Sequence, residues 1–344
     1  MRSTPCSIPE SALRGVPEMS THPNDRDTPS RLDEAVGTGD LIVGEETMST
    51  AAVLAPGHAD VEASTVPPRQ SPLWRRLGVQ FWVCAVWVVL VGLAGVMAGI
   101  LPIKDPSTSD FTALAEGPSW RYWMGTDALG RDIFSRVVHG TRVSIIVGLF
   151  AVLIGLVVGG MLGLIAGYYR RRIESVIMTF ADALVAFPAL VLLLTLTTFL
   201  GQTLENIVLA IGIVTVPVFI RLARANTLTF AQREFVLAAK ATGSRNFRII
   251  TREVLPNVAM PLMAFSLVVV AVAIVAEGSL SFLGLSVPPT TPTWGNIIAA
   301  GRQNLQDAPH IVFFPSLVMF LTVMAFNLAG DRLREVLEVK EGAL

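Results

Sequence analysis

Charge is scarce in this sequence: Asp, Glu, Lys and Arg together make up only 15% of its 344 residues. Hydrophobic residues make up 52%, and the mean hydropathy is +0.59. Soluble globular chains carry about 25% charged residues, so this composition excludes a soluble globule and predicts an integral membrane protein. Acidic residues crowd the beginning of the chain and arginines cluster beside apolar segments, a pattern that gives no support to nucleic-acid binding.

Lysine, histidine and cysteine are also rare, and their positions exclude several kinds of site. Lys104, Lys240 and Lys340 never follow a glycine, so the Gly-Lys-Ser/Thr phosphate loop of an ATPase is missing. No histidine begins a His-Glu-x-x-His zinc motif, and no Gly-x-Ser-x-Gly nucleophile elbow occurs. Cys6 and Cys84 are too few for a disulfide framework. We predict no catalytic residue, no metal site and no cofactor bound by this chain.

Long apolar segments are abundant, and six of them approach the length of about 20 residues that a membrane span requires. The third is interrupted by Asp182 and Pro188, and the fourth is short unless Arg221 and Arg224 extend their charged ends to the membrane surface. We predict an all-α membrane protein with six transmembrane helices. The predicted spans are residues 79–101, 143–168, 177–200, 206–225, 258–276 and 311–328.

The beginning of the chain differs in composition from the rest. Residues 1–72 are rich in Pro, Ser, Thr and acidic residues and show no apolar period, which predicts a disordered tail. The membrane domain is therefore assigned to residues 73–344.

Glycine is concentrated in the second predicted span. Small residues let helices approach closely within a membrane. The glycines expected to form a packing face are Gly148, Gly155, Gly159, Gly160, Gly163 and Gly167.

Basic residues are distributed unevenly along the predicted topology. With the N-terminus inside, the inner loops carry the clusters at 170–172, 233–252 and 332–334, and the outer loops carry fewer basic residues. Because cytoplasmic loops are enriched in Lys and Arg, we predict that both termini and the 233–252 cluster are cytoplasmic.

Residues 233–256 mix basic, small and turn-forming residues between two apolar runs. The alanines favour a short helix that ends at Gly243, where a C-terminal cap belongs. The small residues let another backbone approach, and Phe235 can fill a pocket beyond the surface. Pro256 is expected to interrupt the chain at the entrance to the next span. The segment therefore suits docking into a groove.

Residues 124–148 fall on the predicted outer side, between the first two spans. Asp127 and Arg131 are four residues apart, as are Asp132 and Arg136, so one short helix carrying two ion pairs is predicted. On energetics alone, this is a solvated interfacial helix.

A second outer segment follows the fifth predicted span. The apolar run is predicted to end at Glu277, followed by a Ser-rich turn and a proline-rich extended loop. A re-entrant or interfacial hairpin is expected, with Trp294 at headgroup depth.

Asp182 is an acidic residue inside a predicted span. An intramembrane carboxylate is costly and should face the bundle or an aqueous cavity with a partner. Arg221 and Arg224 are the candidate partners, and we favour a structural ion pair over a transport site.

Four segments resemble signatures of one family, the membrane subunits of ABC importers. Residues 233–256 resemble its cytoplasmic EAA loop, although Leu237 stands where the family has Glu. Residues 124–148 resemble a signature of the peptide and nickel branch, residues 277–295 resemble Glu-Ser-x-Leu-Ser-Phe-Leu-Gly, and residues 327–334 resemble the terminal Asn-Leu-x-Gly-Asp-x-Leu-Arg.

The resemblance implies two sets of functional residues. The implied ATPase-coupling residues are Glu234, Phe235, Ala238, Ala239, Gly243, Leu255 and Pro256. The implied outer-face signature is Gly125, Thr126, Asp127, Gly130, Arg131, Asp132, Arg136, Glu277, Ser281, Phe282, Gly284 and Trp294. The segment that begins at Glu277 is either part of an external gate or binding-protein contact, or plain packing.

The same resemblance implies a C-type permease subunit with a type I ABC importer fold in a bacterial cytoplasmic membrane. Expected partners are ATPase subunits that use ATP and Mg, a second permease, an extracytoplasmic substrate-binding protein and membrane lipid. Di- or oligopeptides are the expected substrates, with nickel as the alternative. Outside this family, the alternatives are a proton-coupled secondary transporter with Asp182 as relay and a membrane scaffold that recruits a cytosolic partner.

Overall fold

The computed structural model describes the backbone of residues 77–341 and the side chains of residues 77–337. In this part of the chain the regular structure is helical, with two isolated bridges, Ser109 to Arg131 and Thr126 to Asp132. The predicted all-α fold is thus confirmed. The predicted disordered tail lies outside the described residues.

The helices follow one another with few long connections. In chain order they are α1 (Gly78–Met97), α2 (Ile133–Ile154), α3 (Gly160–Tyr169), α4 (Arg171–Val185), α5 (Ala189–Leu200), α6 (Leu204–Phe230), α7 (Glu234–Ala241), α8 (Asn246–Ile249), α9 (Leu255–Phe282), α10 (Trp294–Gly301) and α11 (His310–Glu341). A π-helical segment, Gly155–Gly159, joins α2 to α3, and a second, Ile250–Val254, joins α8 to α9.

Five continuous helices in the described residues are long and apolar enough to cross a membrane, and six if the bent pair α4–α5 counts as one span. This agrees with the predicted number. Four of the five are longer than their predicted spans, however. The α2–α3 rod is Ile133–Tyr169 and the α8–α9 rod is Asn246–Phe282.

Three features of these helices add detail to the predicted spans. The third span, predicted to be interrupted by Asp182 and Pro188, is a bent pair in which α4 and α5 meet at 87° beside Pro188. The fourth is a helix of 27 residues, and its Arg221 and Arg224 form ion pairs with α4. Pro256 lies in the first turn of α9, where its missing N–H costs little, and it does not interrupt the α8–α9 rod.

The glycine face of the second span is largely confirmed. A Cβ added at Gly159 would lie 2.5 Å from the carbonyl oxygen of Val216, so the α6 backbone passes directly against this helix. Gly155, Gly163 and Gly167 also meet α6. Gly148 and Gly160 instead face α9. The four glycines that meet α6 are spaced four residues apart, and they let the α2–α3 rod pack closely against α6.

Helix direction separates the loops into two groups. We call the first group the α7 end: it includes α7, the end of α3 and the start of α8, where the Tyr168 hydroxyl donates to Asn246 Oδ1 at 3.1 Å. Arg332 near the end of α11 donates to Gln80 in α1 at 3.2 Å. The other group, the α10 end, contains residues 98–132 and 283–309.

Candidate functional site

The α7 end presents a short helix stopped by glycine. After α7, Gly243 adopts φ +76° and its N–H donates to Lys240 O at 3.0 Å, while Ser244 N donates to Ala239 O at 3.1 Å. These two bonds form a Schellman cap. The left-handed conformation explains why glycine occupies this position. The predicted cap is confirmed.

The two faces of α7 differ in exposure. Val236 is fully buried and Ala239 packs against the core of the bundle. Phe235 is 40% exposed, and Ala238 is also exposed. Ala238 is therefore on the exposed face of α7, and Ala239 is on the face that packs against the bundle. Phe247, just beyond the cap, is also an exposed aromatic residue, at 77%.

This helix is attached to the end of α3. Lys240 Nζ lies 5.4 Å from the centre of the Tyr168 ring, at the range of a cation–π contact. Glu234 stands in the first turn of α7, where the helix dipole favours an acidic residue. Leu255 and Pro256 are exposed at the start of α9. The predicted coupling residues therefore lie at the α7 end, around three exposed residues, Phe235, Ala238 and Phe247, which we call the docking face because docking is predicted there.

The α10 end is organised around a buried carboxylate. Glu277 is 1% exposed, and its Oε1 accepts hydrogen bonds from Ser281, Ser286 and Thr293 at 2.8, 2.9 and 3.0 Å. Thr293 also accepts from Asn296 N and so caps α10. The helix does not end at Glu277, as predicted, but continues to Phe282. One side chain thus joins α9, the following loop and α10.

Trp294 lies at the centre of this arrangement. It is fully buried, and its Nε1 donates to the Val137 carbonyl oxygen in α2 at 3.2 Å. The ring packs inside the protein, and its predicted headgroup depth stays a prediction. At Gly295, an added Cβ would lie 2.7 Å from the Cα of Gly278, so α10 crosses α9 at backbone contact. Gly284 follows the end of α9.

Residues 124–132 do not form the predicted helix. Asp127 accepts from the backbone N–H groups of Leu129 and Arg131 in a turn, and its Oδ2 pairs with Arg131 Nε at 2.7 Å. Asp132 is the N-cap of α2 and accepts from Phe134 N. The expected Asp132–Arg136 ion pair is therefore absent from the described contacts, and Arg136 Nε lies 3.9 Å from Asp127.

Arg136 links the two loops of the α10 end. Its guanidinium is 2% exposed and donates to Pro106 O at 3.3 Å and to Pro289 O at 3.5 Å. Those acceptors belong to residues 98–132 and to the loop after α9. A buried charge with several acceptors is well placed to fix one relative position of two loops.

Gly125 and Gly130, in residues 98–132, hold close backbone turns. Gly125 adopts φ +79°, and a Cβ there would lie 2.5 Å from Glu116 O and 2.6 Å from the His310 ring. Thr126 is buried and donates to Ala113 O at 2.5 Å. Gly130 packs directly on Asp110. These turns replace the predicted helix.

Two carboxyl groups in this region have shifted pKa values. Hydrogen bonds from the Thr112 hydroxyl, the Tyr122 hydroxyl and the Thr112 N–H lower the pKa of Asp110 to about 2. Burial raises the pKa of Asp132, and the N–H of Phe134 opposes the rise. Asp110 also pairs with Arg121 at 3.0 Å.

Asp182 pairs with one of its two predicted partners. Arg221 Nη2 lies 2.7 Å from Asp182 Oδ1, while Arg224 pairs with Glu174. Both arginines lie on α6 and both carboxylates on α4. Two ion pairs therefore join α4 to α6.

Sequence reasoning missed Glu174 and two of the three hydroxyl partners of Glu277, Ser286 and Thr293. Glu174 stands eight residues before Asp182, just over two helical turns, so one face of α4 carries both carboxylates. That spacing was a usable signal. The hydroxyls of Ser286 and Thr293 reach Glu277 only through the loop that folds back on α9, and no local pattern predicts this.

We expect Glu277→Leu to destabilise the α10 end by about 1–3 kcal/mol, because it leaves three buried hydroxyls without their acceptor. Glu277→Gln keeps an acceptor oxygen at this position and should cost less. The measurement is the melting temperature of the purified protein in detergent. Equal melting temperatures for the two variants would contradict the proposed role of the carboxylate.

Comparisons with known proteins point to one family. The family of binding-protein-dependent transport system inner membrane components matches residues 159–340. The glutathione transport system permease protein GsiD of Pectobacterium atrosepticum is 39% identical over 270 residues, covering 78% of this chain and 90% of that protein. GsiD of Escherichia coli O6:K15:H31 is 40% identical, covering 78% and 89%.

A solved structure shares the fold. A chain of the MetNI methionine ABC transporter, in an inward-facing conformation, aligns with a TM-score of 0.50 and 16% identity, covering 58% of this chain and 96% of that chain. The helical fold, the apolar helices and the close relatives identify an integral membrane protein. The chain belongs to the family of binding-protein-dependent transport system inner membrane components, as an ABC importer permease of the peptide and nickel branch.

Proposed function

We propose that this permease carries short peptides across the bacterial cytoplasmic membrane by alternating access, driven by partner ATPases that use ATP and Mg. The observation that carries the coupling step is the exposed face of α7, with Phe235 at 40% exposure and a rigid glycine cap. Peptides are preferred over nickel because the similar permeases are named for glutathione, which is itself a short peptide. Because the chain belongs to the ABC importer family, we prefer this function to a proton-coupled secondary transporter and to a membrane scaffold.

The α7 docking face suits a cleft in an ATPase. Phe235 and Phe247 supply exposed aromatic surface, and Ala238 lets a partner approach the helix. A few anchors of this kind carry most of the energy of an interface. For ATP to drive transport, the ATPase must hold the two permease conformations with different affinity, since equal binding moves no equilibrium.

The α7 end is cytoplasmic in this proposal, and so are both termini. The α10 end then faces outward, where a substrate-binding protein would deliver peptide. Residues 98–132 expose Trp120 and Trp123 at 99% and 66%. A second permease would complete the path, with lipid around the remaining apolar surface.

The test is co-purification of the tagged chain with its partners, followed by peptide uptake into cells. We expect Phe235→Asp to reduce the recovered ATPase at least about 30-fold, because losing an interface anchor costs about 2 kcal/mol or more. Peptide uptake should fall with it. The partner is identified by mass spectrometry as a protein with a Gly-Lys-Ser/Thr loop.

Trp120→Asp is the matched control, because it places the same charge on an exposed aromatic residue at the α10 end. It should retain the ATPase at the parent level. Equal recovery of the ATPase with both variants would refute docking at α7. ATP-dependent uptake of nickel but not of peptides would refute the proposed substrate.

A further inference from the structure

The Asp182–Arg221 pair occupies an unusual place for two charges. Pro217 is the middle residue of the 27-residue α6, and Arg221 follows it by four positions, or about 6 Å along the helix axis. Asp182 lies one turn before the end of α4, beside the 87° bend into α5. The pair therefore lies within a membrane-spanning helix, four residues from the midpoint of α6.

Exposure distinguishes this pair from its neighbour. The side chains of Arg221 and Asp182 are 47% and 59% exposed, whereas those of Arg224 and Glu174 are 32% and 22% exposed. A half-exposed ion pair within a spanning helix is disfavoured against lipid, because charged groups in hydrocarbon are costly even when they are paired. Such a pair is expected to face a water-filled space or another subunit, and in a permease the water-filled space is the translocation path.

We propose that Asp182 and Arg221 form a subsite on the translocation path that binds the charged termini of a peptide. The inference rests on the peptide-import function proposed above. Arg221 would hold the α-carboxylate through paired N–H groups, and Asp182 would accept from the α-ammonium.

Binding in this manner exchanges one ion pair for two. The internal Asp182–Arg221 contact, 2.7 Å long, must open to admit a peptide whose terminal charges lie about 6 Å apart. The lost contact offsets much of the gain, so the subsite binds weakly. Weak binding suits a path, because the substrate must also leave.

The test measures peptide protection of introduced thiols in inside-out membrane vesicles that contain the co-expressed transporter. The background chain carries Cys6→Ala and Cys84→Ala, and the test variants are Asp182→Cys and Arg221→Cys. A membrane-impermeant maleimide is added with or without dialanine, N-acetyl-dialanine or dialanine amide. Labelling is followed by the mass of this chain.

We expect each charge that remains to select the matching terminus. In Asp182→Cys, Arg221 is intact, so peptides with a free carboxylate protect and dialanine amide does not. In Arg221→Cys, Asp182 is intact, so peptides with a free amine protect and N-acetyl-dialanine does not. A protecting peptide at twice its Kd should slow labelling about threefold.

Control variants show whether peptide protection is specific to the proposed subsite or occurs at any exposed cysteine. Leu90→Cys on α1 should resist the reagent, since this side chain faces lipid in the proposed arrangement. Glu174→Cys, in the less exposed pair, should gain no protection from any peptide. Ala183→Cys leaves the ion pair intact and should be protected only by dialanine, so it tests the proposal even if the other variants fail to fold.

Several results would overturn the subsite. One is that Asp182→Cys is not labelled by the maleimide. Another is that it is labelled but no peptide protects it, and a third is that all three peptides protect it equally. ATP-driven dialanine uptake by the background chain is measured in parallel. Uptake without protection removes the subsite alone, whereas protection without uptake leaves the subsite and removes peptide import.

Discussion

We expect Gly243→Val to abolish ATP-driven uptake and to remove the ATPase from the purified complex, while the chain itself still reaches the membrane. Valine is branched at Cβ and strongly disfavours the φ of +76° observed here. The cost is about 1–3 kcal/mol, concentrated in the two hydrogen bonds that end α7. The helix end loosens, and the docking face loses its fixed shape. Uptake of labelled peptide and recovery of the ATPase measure the result.

Gly243→Asn is the control, because Asn tolerates the left-handed conformation better than other residues with a side chain. No atom lies within 4 Å of a Cβ added at this position, so space is available for either substitution. Asn should retain most of the uptake. Similar losses with Val and Asn would show that the backbone conformation is not what the position requires.

Gly159→Ala is expected to reduce the amount of folded permease severalfold. Its new Cβ would lie 2.5 Å from Val216 O and 2.8 Å from Phe219 Cβ, so α6 must move away. Overpacking of this kind costs about 1–3 kcal/mol. Fluorescence-detected size-exclusion chromatography of detergent extracts measures the loss.

Gly92→Ala provides the comparison, since no atom lies within 4 Å of a Cβ at this position in α1. It also exchanges glycine for alanine in an apolar helix, and it should leave the elution profile unchanged. If both variants lose the same amount of folded protein, glycine flexibility rather than helix contact is responsible.

Hydropathy predicted the apolar helices because span length follows from membrane thickness, whatever the tertiary packing. The Gly243 cap was equally predictable, since the conformation that ends α7 is local. The bend between α4 and α5 was only partly predictable. Pro188 marked its position, but its angle depends on the residues against which α4 and α5 pack.

The structure of the loops at the α10 end was not predicted correctly, and the reason is physical. The four-residue spacing of Asp127 and Arg131 fits a helix, yet Gly125 and Gly130 adopt positive φ and turn the backbone instead. An acidic residue such as Glu277 normally marks the end of an apolar helix. Here three hydroxyls compensate its burial, and two of them come from residues beyond the helix.

The α8–α9 rod runs from Asn246, beside the docking face, to Phe282, beside the Glu277 hydroxyls, as one helix of 37 residues. Its length is about 55 Å. A tilt of about 5° at one end would therefore displace the other by about 5 Å. In the proposed function, a push from an ATPase at the α7 end would therefore arrive at the α10 end as rigid-body motion of one helix, without a relay of side chains.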